Sequence, residues 1–170
     1  MEWTGARYAD TPTVAAETYI EAPPDRVWER VSDIGLMPAL SSELREVRWL
    51  DGAEAPRVGG RFVGRSAHEA LGDWETVSTI VECRAPHSFA WAVGDPEYPS
   101  SVWRFTLRPA GSGTVLEQWM QMGPARSGLS FAIDAMPDKE QKIVFVRLRE
   151  FERGIEANLA GIKSLLEEAS

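Results

Sequence analysis

The sequence predicts an α+β domain in which seven antiparallel strands form a sheet covered on one face by a single long C-terminal helix. Three observations carry this. Seven tryptophans occur in 170 residues, and Trp49, Trp74, Trp91, Trp103 and Trp119 fall in segments that read as strands. Those segments are separated by short gaps rich in turn residues, which favours sequential antiparallel pairing. The last segment carries an apolar stripe of helical period: Val144, Leu148, Phe151, Ile155, Leu159, Ile162 and Leu166, in steps of 4, 3, 4, 4, 3 and 4.

Each element follows in chain order. Residues 1–12 are polar and unpatterned, and are expected to be a loose tail ahead of a single domain spanning 13–170. Residues 13–21 alternate as a strand, with Ala16, Thr18 and Ile20 on one side. Pro23-Pro24 then suits the opening of a short helix, where a missing N–H does no harm; Val27, Val31 and Ile34 form its buried side and Gly35 ends it. Met37, Pro38 and Leu40 suggest a second brief turn. Six strands are expected at about 44–51, 60–69, 73–84, 87–94, 101–109 and 113–123, with turns such as Asp51-Gly52, Gly72-Asp73 and Gly111-Ser112-Gly113 between them. Residues 124–136 are mixed, a loop with a helical turn. Pro137-Asp138 opens the long helix, which at 1.5 Å per residue spans roughly 40–45 Å.

The bulk numbers narrow the function. The net charge of −8, with only Lys139, Lys142 and Lys163 as lysines, argues against a nucleic-acid surface or an anionic membrane patch. A single cysteine rules out an internal disulfide framework. The first residues lack a basic start and an apolar core, and no apolar run approaches the roughly 18 residues that span a bilayer, so the expected location is cytoplasmic.

Strand parity assigns the faces. Phe62, Gly64, Ser66 and His68 point in, opposite Arg61, Val63, Arg65 and Glu69. Phe89, Trp91 and Val93 share a face, as do Trp103, Phe105 and Leu107. Leu116, Gln118, Met120 and Met122 look inward, which leaves Trp119 outside as a contact for a neighbouring element or for a second copy in a homodimer. In 73–84 the parity conflicts, since Trp74, Val81 and Cys83 all ask to face in; a bulge near Val77–Thr79 would reconcile them. Gly64 and Ser66 fill little of an inner face. Gly154 and Gly161 lie seven residues apart on one flank of the long helix, with Asn158 between them. Either helix and sheet approach closely there, or the flank is kept small to face a ligand.

Several chemistries find no support. There is no G-x-S-x-G, and Gly111-Ser112-Gly113-Thr114 lacks the lysine of a phosphate loop. Cys83 and His87 flank a proline turn, and two histidines in all make a zinc or iron site improbable, so no metal or other cofactor is expected. General acid–base work in an apolar pocket remains, with His68 as the best-placed group; the competing reading is a half-buried histidine satisfied by a backbone carbonyl. Arg147 shares the flank of Gly154 and Asn158 and reaches either the pocket or a surface salt bridge.

The segments YIEAPPDRVWERVSDIGLMPAL, VGGRFVG, GDWETVSTIVECRAPHSFAW and SVWRFTLRPAGSGTVLEQ resemble the polyketide cyclase/dehydrase branch of the START-like (Bet v 1-like) superfamily, over residues 14–168. The resemblance implies the helix-grip fold: a curved seven-stranded antiparallel sheet around a long C-terminal helix, two short helices after the first strand, and a cavity between sheet and helix. It implies a mouth formed by Met37, Leu40, Tyr98, Phe131, Ile133 and Met136. Members bind lipids, sterols, hormones or polyketides, and some direct ring closure of poly-β-ketones.

Two functions follow as expectations. The first is a carrier or sequestering protein for a hydrophobic small molecule held by Phe62, Ser66, His68, Trp74, Trp91, Trp103, Phe105, Gln118, Met120, Met122, Phe131, Arg147, Phe151 and Asn158. The second is a cyclase or dehydratase in which the same walls fold a poly-β-ketone and His68 moves protons.

Overall fold

The computed structural model describes residues 1–168; Ala169 and Ser170, inside the expected domain boundary, lie outside the described residues. Seven strands form one antiparallel sheet: β1 (Thr13–Ile20), β2 (Leu44–Trp49), β3 (Arg61–His68), β4 (Gly72–Arg84), β5 (Ser88–Asp95), β6 (Tyr98–Ala110) and β7 (Gly113–Met122). Their order is β1-β7-β6-β5-β4-β3-β2, so every pair except β1–β7 joins neighbours in sequence. Two short helices, α1 (Pro24–Val31) and α2 (Met37–Leu40), separate β1 from β2; α3 (Gly128–Ala135) and α4 (Glu140–Glu168) follow β7. The α+β helix-grip architecture is therefore as expected. Ile34 and Gly35 fall beyond α1, in a separate 3-10 turn, because Asp33 Oδ1 accepts from Gly35 N–H at 2.9 Å and starts a new cap.

Parity places the side chains as alternation dictates. One inner-face row runs Ile80, Trp91, Trp103, Met120 and Val14; the next runs Cys83, Phe89, Phe105, Gln118 and Ala16. The bulge in β4 lies between Ile80 and Glu82 rather than at Val77–Thr79. Val81 is the extra residue: it turns outward, 41 % exposed, while Ile80 before it and Cys83 after it both keep the inner face. Parity alone forced a bulge but not its position. Outside, Trp119 is half-buried with the Arg104 guanidinium 4.3 Å over its ring.

The stripe of α4 closes one end of the concave face. Val144, Leu148, Ile155, Leu159, Ile162 and Leu166 are buried with Ile20, Phe89 and Leu116. Full burial of such a side chain is worth about 1.5–3 kcal/mol, so this seam dominates the stability of the fold. Residues 1–12 do not hang loose. Trp3 meets Phe145 edge-on at 5.1 Å, Gln141 Nε2 donates to Gly5 O at 2.7 Å, and the buried Tyr8 donates through its hydroxyl to Ala125 O at 2.6 Å. The polarity of this segment concealed three docking residues among the hydrophilic ones. No helix among the described residues is long and apolar enough to cross a membrane.

Candidate functional site

Rings line the inner face in an unbroken series. Trp91 and Trp103 lie nearly parallel, 8° apart with centroids at 6.4 Å, and Trp103 meets Phe151 of α4 edge-on at 5.3 Å. Phe62 and Phe89 each touch Trp91, at 6.3 and 5.7 Å. Phe62, Trp91, Phe105, Gln118, Met120 and Met122 are buried as packed core. The buried Gln118 carbonyl accepts from Asn158 Nδ2 at 3.2 Å, which ties β7 to the small-residue flank of α4. Ser66, Trp74, Trp103, Phe151 and Asn158 remain half-exposed on the same concave face, so solvent reaches this corner. Ser66 and Trp74 sit opposite each other across β3 and β4.

The two glycines of α4 resolve differently. At Gly161 a Cβ would stand 2.6 Å from Leu40 Cδ2, so this glycine admits α2 onto the helix. At Gly154 a Cβ would meet nothing within 4 Å, although Phe151 and Asn158 on either side face the sheet. Close packing holds at one position and open space at the other. Leu40, expected at a mouth, is thus wedged against α4. Gly64 is similarly covered, with Leu44 Cδ1 3.1 Å from its Cβ position.

A polar cluster borders the open corner. Arg147 is buried at 6 % exposure and donates in a fork to Glu43, Nη1 to Oε2 at 2.7 Å and Nη2 to Oε1 at 2.8 Å. Its guanidinium also lies 4.3 Å over the Phe151 ring and 3.6 Å from Glu150. The arginine therefore makes neither an exposed salt bridge nor a free contact for ligand; its fork is already engaged. His68 shares the cluster: its Nε2 stands 2.7 Å from Glu150 Oε2, while its Nδ1 accepts from the backbone N–H of Ala70 at 2.9 Å and of Leu71 at 3.2 Å. Two donors at Nδ1 require its lone pair, so the proton resides on Nε2 and is donated to Glu150. His68 is thus half-buried with both nitrogens engaged, but by two backbone N–H groups and the Glu150 carboxylate rather than by a backbone carbonyl.

Glu43, His68 and Glu150 bring potential metal-donor atoms within 4.8 Å of one another. The set does not fit a cation. A metal on Nε2 needs the opposite tautomer, whose Nδ1–H would face two backbone N–H groups, and Arg147 already supplies the positive charge between the carboxylates. Sequence reasoning missed Glu43 and Glu150. Glu150 lies three residues from Arg147 on α4, a spacing that signals an ion pair; nothing local marks Glu43, which α2 and β2 deliver from 104 residues away.

The expected mouth is partly misplaced. Phe131 is 72 % exposed on the far side of α3 from the buried Leu129 and Ser130, so it lines no cleft. A helical turn of eight residues buries one side only, and Phe131 lies on the other. Tyr98 and Met136 are exposed at 58 % and 44 %, and Ile133 and Met37 are half-buried against the core. Two shallow depressions are present away from α4, one between α1 and the end of β2 and one on the outer face of β2–β4.

A curved antiparallel sheet with an aromatic inner face gripping one long helix is the START-like fold. A model of the polyketide cyclase/dehydrase and lipid transport family matches residues 11–167, and the chain belongs to that family. It is similar to the polyketide-cyclase-like protein Cgl2372 of Corynebacterium glutamicum, at 30% identity over 91% of each chain with a TM-score of 0.66. TTHA0849 of Thermus thermophilus shares the fold at 17% identity, with 94% of this chain and 99% of that one covered and a TM-score of 0.64. So does the di-domain aromatase/cyclase StfQ of the steffimycin biosynthetic pathway, at 13% identity and a TM-score of 0.71; 92% of this chain covers 51% of that one, about half its length. Among curated proteins none matches the chain.

Proposed function

We propose that this protein binds a hydrophobic small molecule, polyketide-, lipid- or aromatic-metabolite-like, between the inner sheet face and α4, as a carrier or sequestering protein. The observation that carries the reading is Gly154: no atom lies within 4 Å of its Cβ position, and it follows Phe151, whose ring meets the half-exposed Trp103, by one turn of α4. Family membership supports it. Covering about 300 Å² of apolar ligand surface at ~25 cal/mol per Å² amounts to roughly 7 kcal/mol before ordering costs, enough for useful affinity. The network of buried Arg147 with half-buried Glu43, Glu150 and His68 then fixes the wall rather than the chemistry.

Ring closure of a poly-β-ketone is the second reading, favoured by the His68–Glu150 pair at the rim of the corner. Both His68 nitrogens are engaged, which favours the carrier. Native mass spectrometry of freshly purified protein tests the proposal: a retained apolar adduct is expected in the parent and lost in Gly154→Leu, which fills the gap. Equal retention by both proteins refutes the site. Incubation with a poly-β-ketone mimic separates the two readings, because a product distribution altered by the protein and restored by His68→Ala would establish catalysis.

A further inference from the structure

A second concavity lies at the β2 end of the same aromatic face, beside α1. Its volume is about 440 Å³, within the roughly 300–1,000 Å³ of small-molecule sites, and it runs between α1 with its following 3-10 turn and the end of β2 with the loop beyond. Trp28 and Trp49 form its apolar walls; Glu29, Asp33 and Glu54 supply carboxylates; no lysine or arginine lines it. It shares no residue with the Gly154 corner.

Two properties set this groove apart from an ordinary acidic surface. The indoles are held from behind. Trp28 meets Phe89 edge-on at 6.1 Å and Trp49 meets Phe62 edge-on at 6.0 Å, and both phenylalanines are buried against Trp91. The two indoles are thereby held in place without any ligand. The carboxylates, in turn, are uncommitted: among the described residues Glu29 and Glu54 enter no ion pair, and Asp33 uses Oδ1 alone, on Gly35 N–H. A neutral apolar guest gains nothing from such a rim, and an anion is repelled by it. A guest with an apolar body and a positive centre satisfies indole faces and carboxylates together. The overall charge of −8 adds long-range attraction for the same sign of ligand.

We propose that this groove binds a small organic ammonium cation, its alkylated nitrogen seated against Trp28 and Trp49 and neutralised by Glu29, Asp33 and Glu54.

The probe is benzyltrimethylammonium, compared with neopentylbenzene, in which carbon replaces the charged nitrogen at equal shape. Titration of ¹⁵N-labelled protein is expected to shift the Trp28 and Trp49 indole N–H resonances saturably. The neutral isostere should bind about tenfold or more weakly, and the double variant Glu29→Gln, Glu54→Gln should weaken the cation by a similar factor, with added salt acting in the same direction. Those two glutamates make no hydrogen bond within the described fold, so an unchanged amide spectrum is the control. Trp103→Ala, outside the groove's lining, should leave cation binding intact whether or not the carrier reading holds. The proposal is overturned by equal affinity for the two probes, by shifts that do not saturate or that map elsewhere, or by indifference to the double variant. Tight binding of a lysine-rich peptide with none of the small cation would likewise overturn it, in favour of a protein interface.

Discussion

Gly154 and Gly161 lie on one flank of the same helix, two turns apart, and meet opposite surroundings. Around Gly161 the protein is sealed: Leu40 presses on the missing side chain, and Leu159 and Ile162 are buried alongside. Around Gly154 it is open, bordered by half-exposed rings and by a charged cluster sunk beneath Phe151. A glycine in a helix interior costs about 1 kcal/mol against alanine wherever it sits. At the sealed position that cost is offset by contact. At the open one no contact within the protein offsets it.

Four substitutions or measurements test this contrast. The largest effect is expected at the charged border of the open corner. Glu43→Ala strands Arg147, and should cost about 2–4 kcal/mol in urea unfolding, somewhat below the ~3–5 kcal/mol of a fully buried pair because Glu43 is 25% exposed. A loss under about 0.5 kcal/mol would mean that the cluster is solvated in solution. Next comes the sealed flank: Gly161→Leu drives a side chain into Leu40 and should destabilise by roughly 1–3 kcal/mol. If it is neutral, α2 does not hold its place on α4. Smaller and opposite in sign, Gly154→Ala should stabilise by about 0.5–1 kcal/mol, since helix propensity rises and nothing is struck. Destabilisation there would show the gap to be filled.

The smallest effect belongs to Cys83, which pairs with buried Phe89 on the inner sheet face. Burial disfavours the thiolate and raises the thiol above its ordinary range. Alkylation should therefore rise with pH along a curve displaced upward from that of a free thiol. The sign for stability follows: the folded chain holds its proton longer than the unfolded one, so any contribution is complete below the ordinary thiol range and is lost as pH rises through the folded value. An alkylation curve matching a free thiol would show that this end of the wall is not closed.

The scaffold was legible because its signals are local. Alternation placed all seven strands within a few residues, and the stripe from Val144 to Leu166 placed α4. The β4 bulge was legible as a necessity but not as a position, since several placements satisfy the same parity. The site was harder, for a physical reason. Gly154 and Gly161 are identical in sequence, and only what α2 does, from more than a hundred residues away, distinguishes them. The fork of Arg147 onto Glu43 and the anchoring of Tyr8 are likewise long-range. Phe131 was expected at a mouth only through the family resemblance, yet eight residues of α3 offer too little perimeter to bury every apolar side chain.

The parallel indoles of Trp91 and Trp103 have a spectroscopic consequence. At 6.4 Å they stand close enough for excitation to pass between them, so light taken up by one is emitted from the couple. The wall of the interior is thus its own chromophore. A guest that pries the two planes apart alters near-ultraviolet dichroism even where total emission holds steady, and occupancy becomes readable without a label.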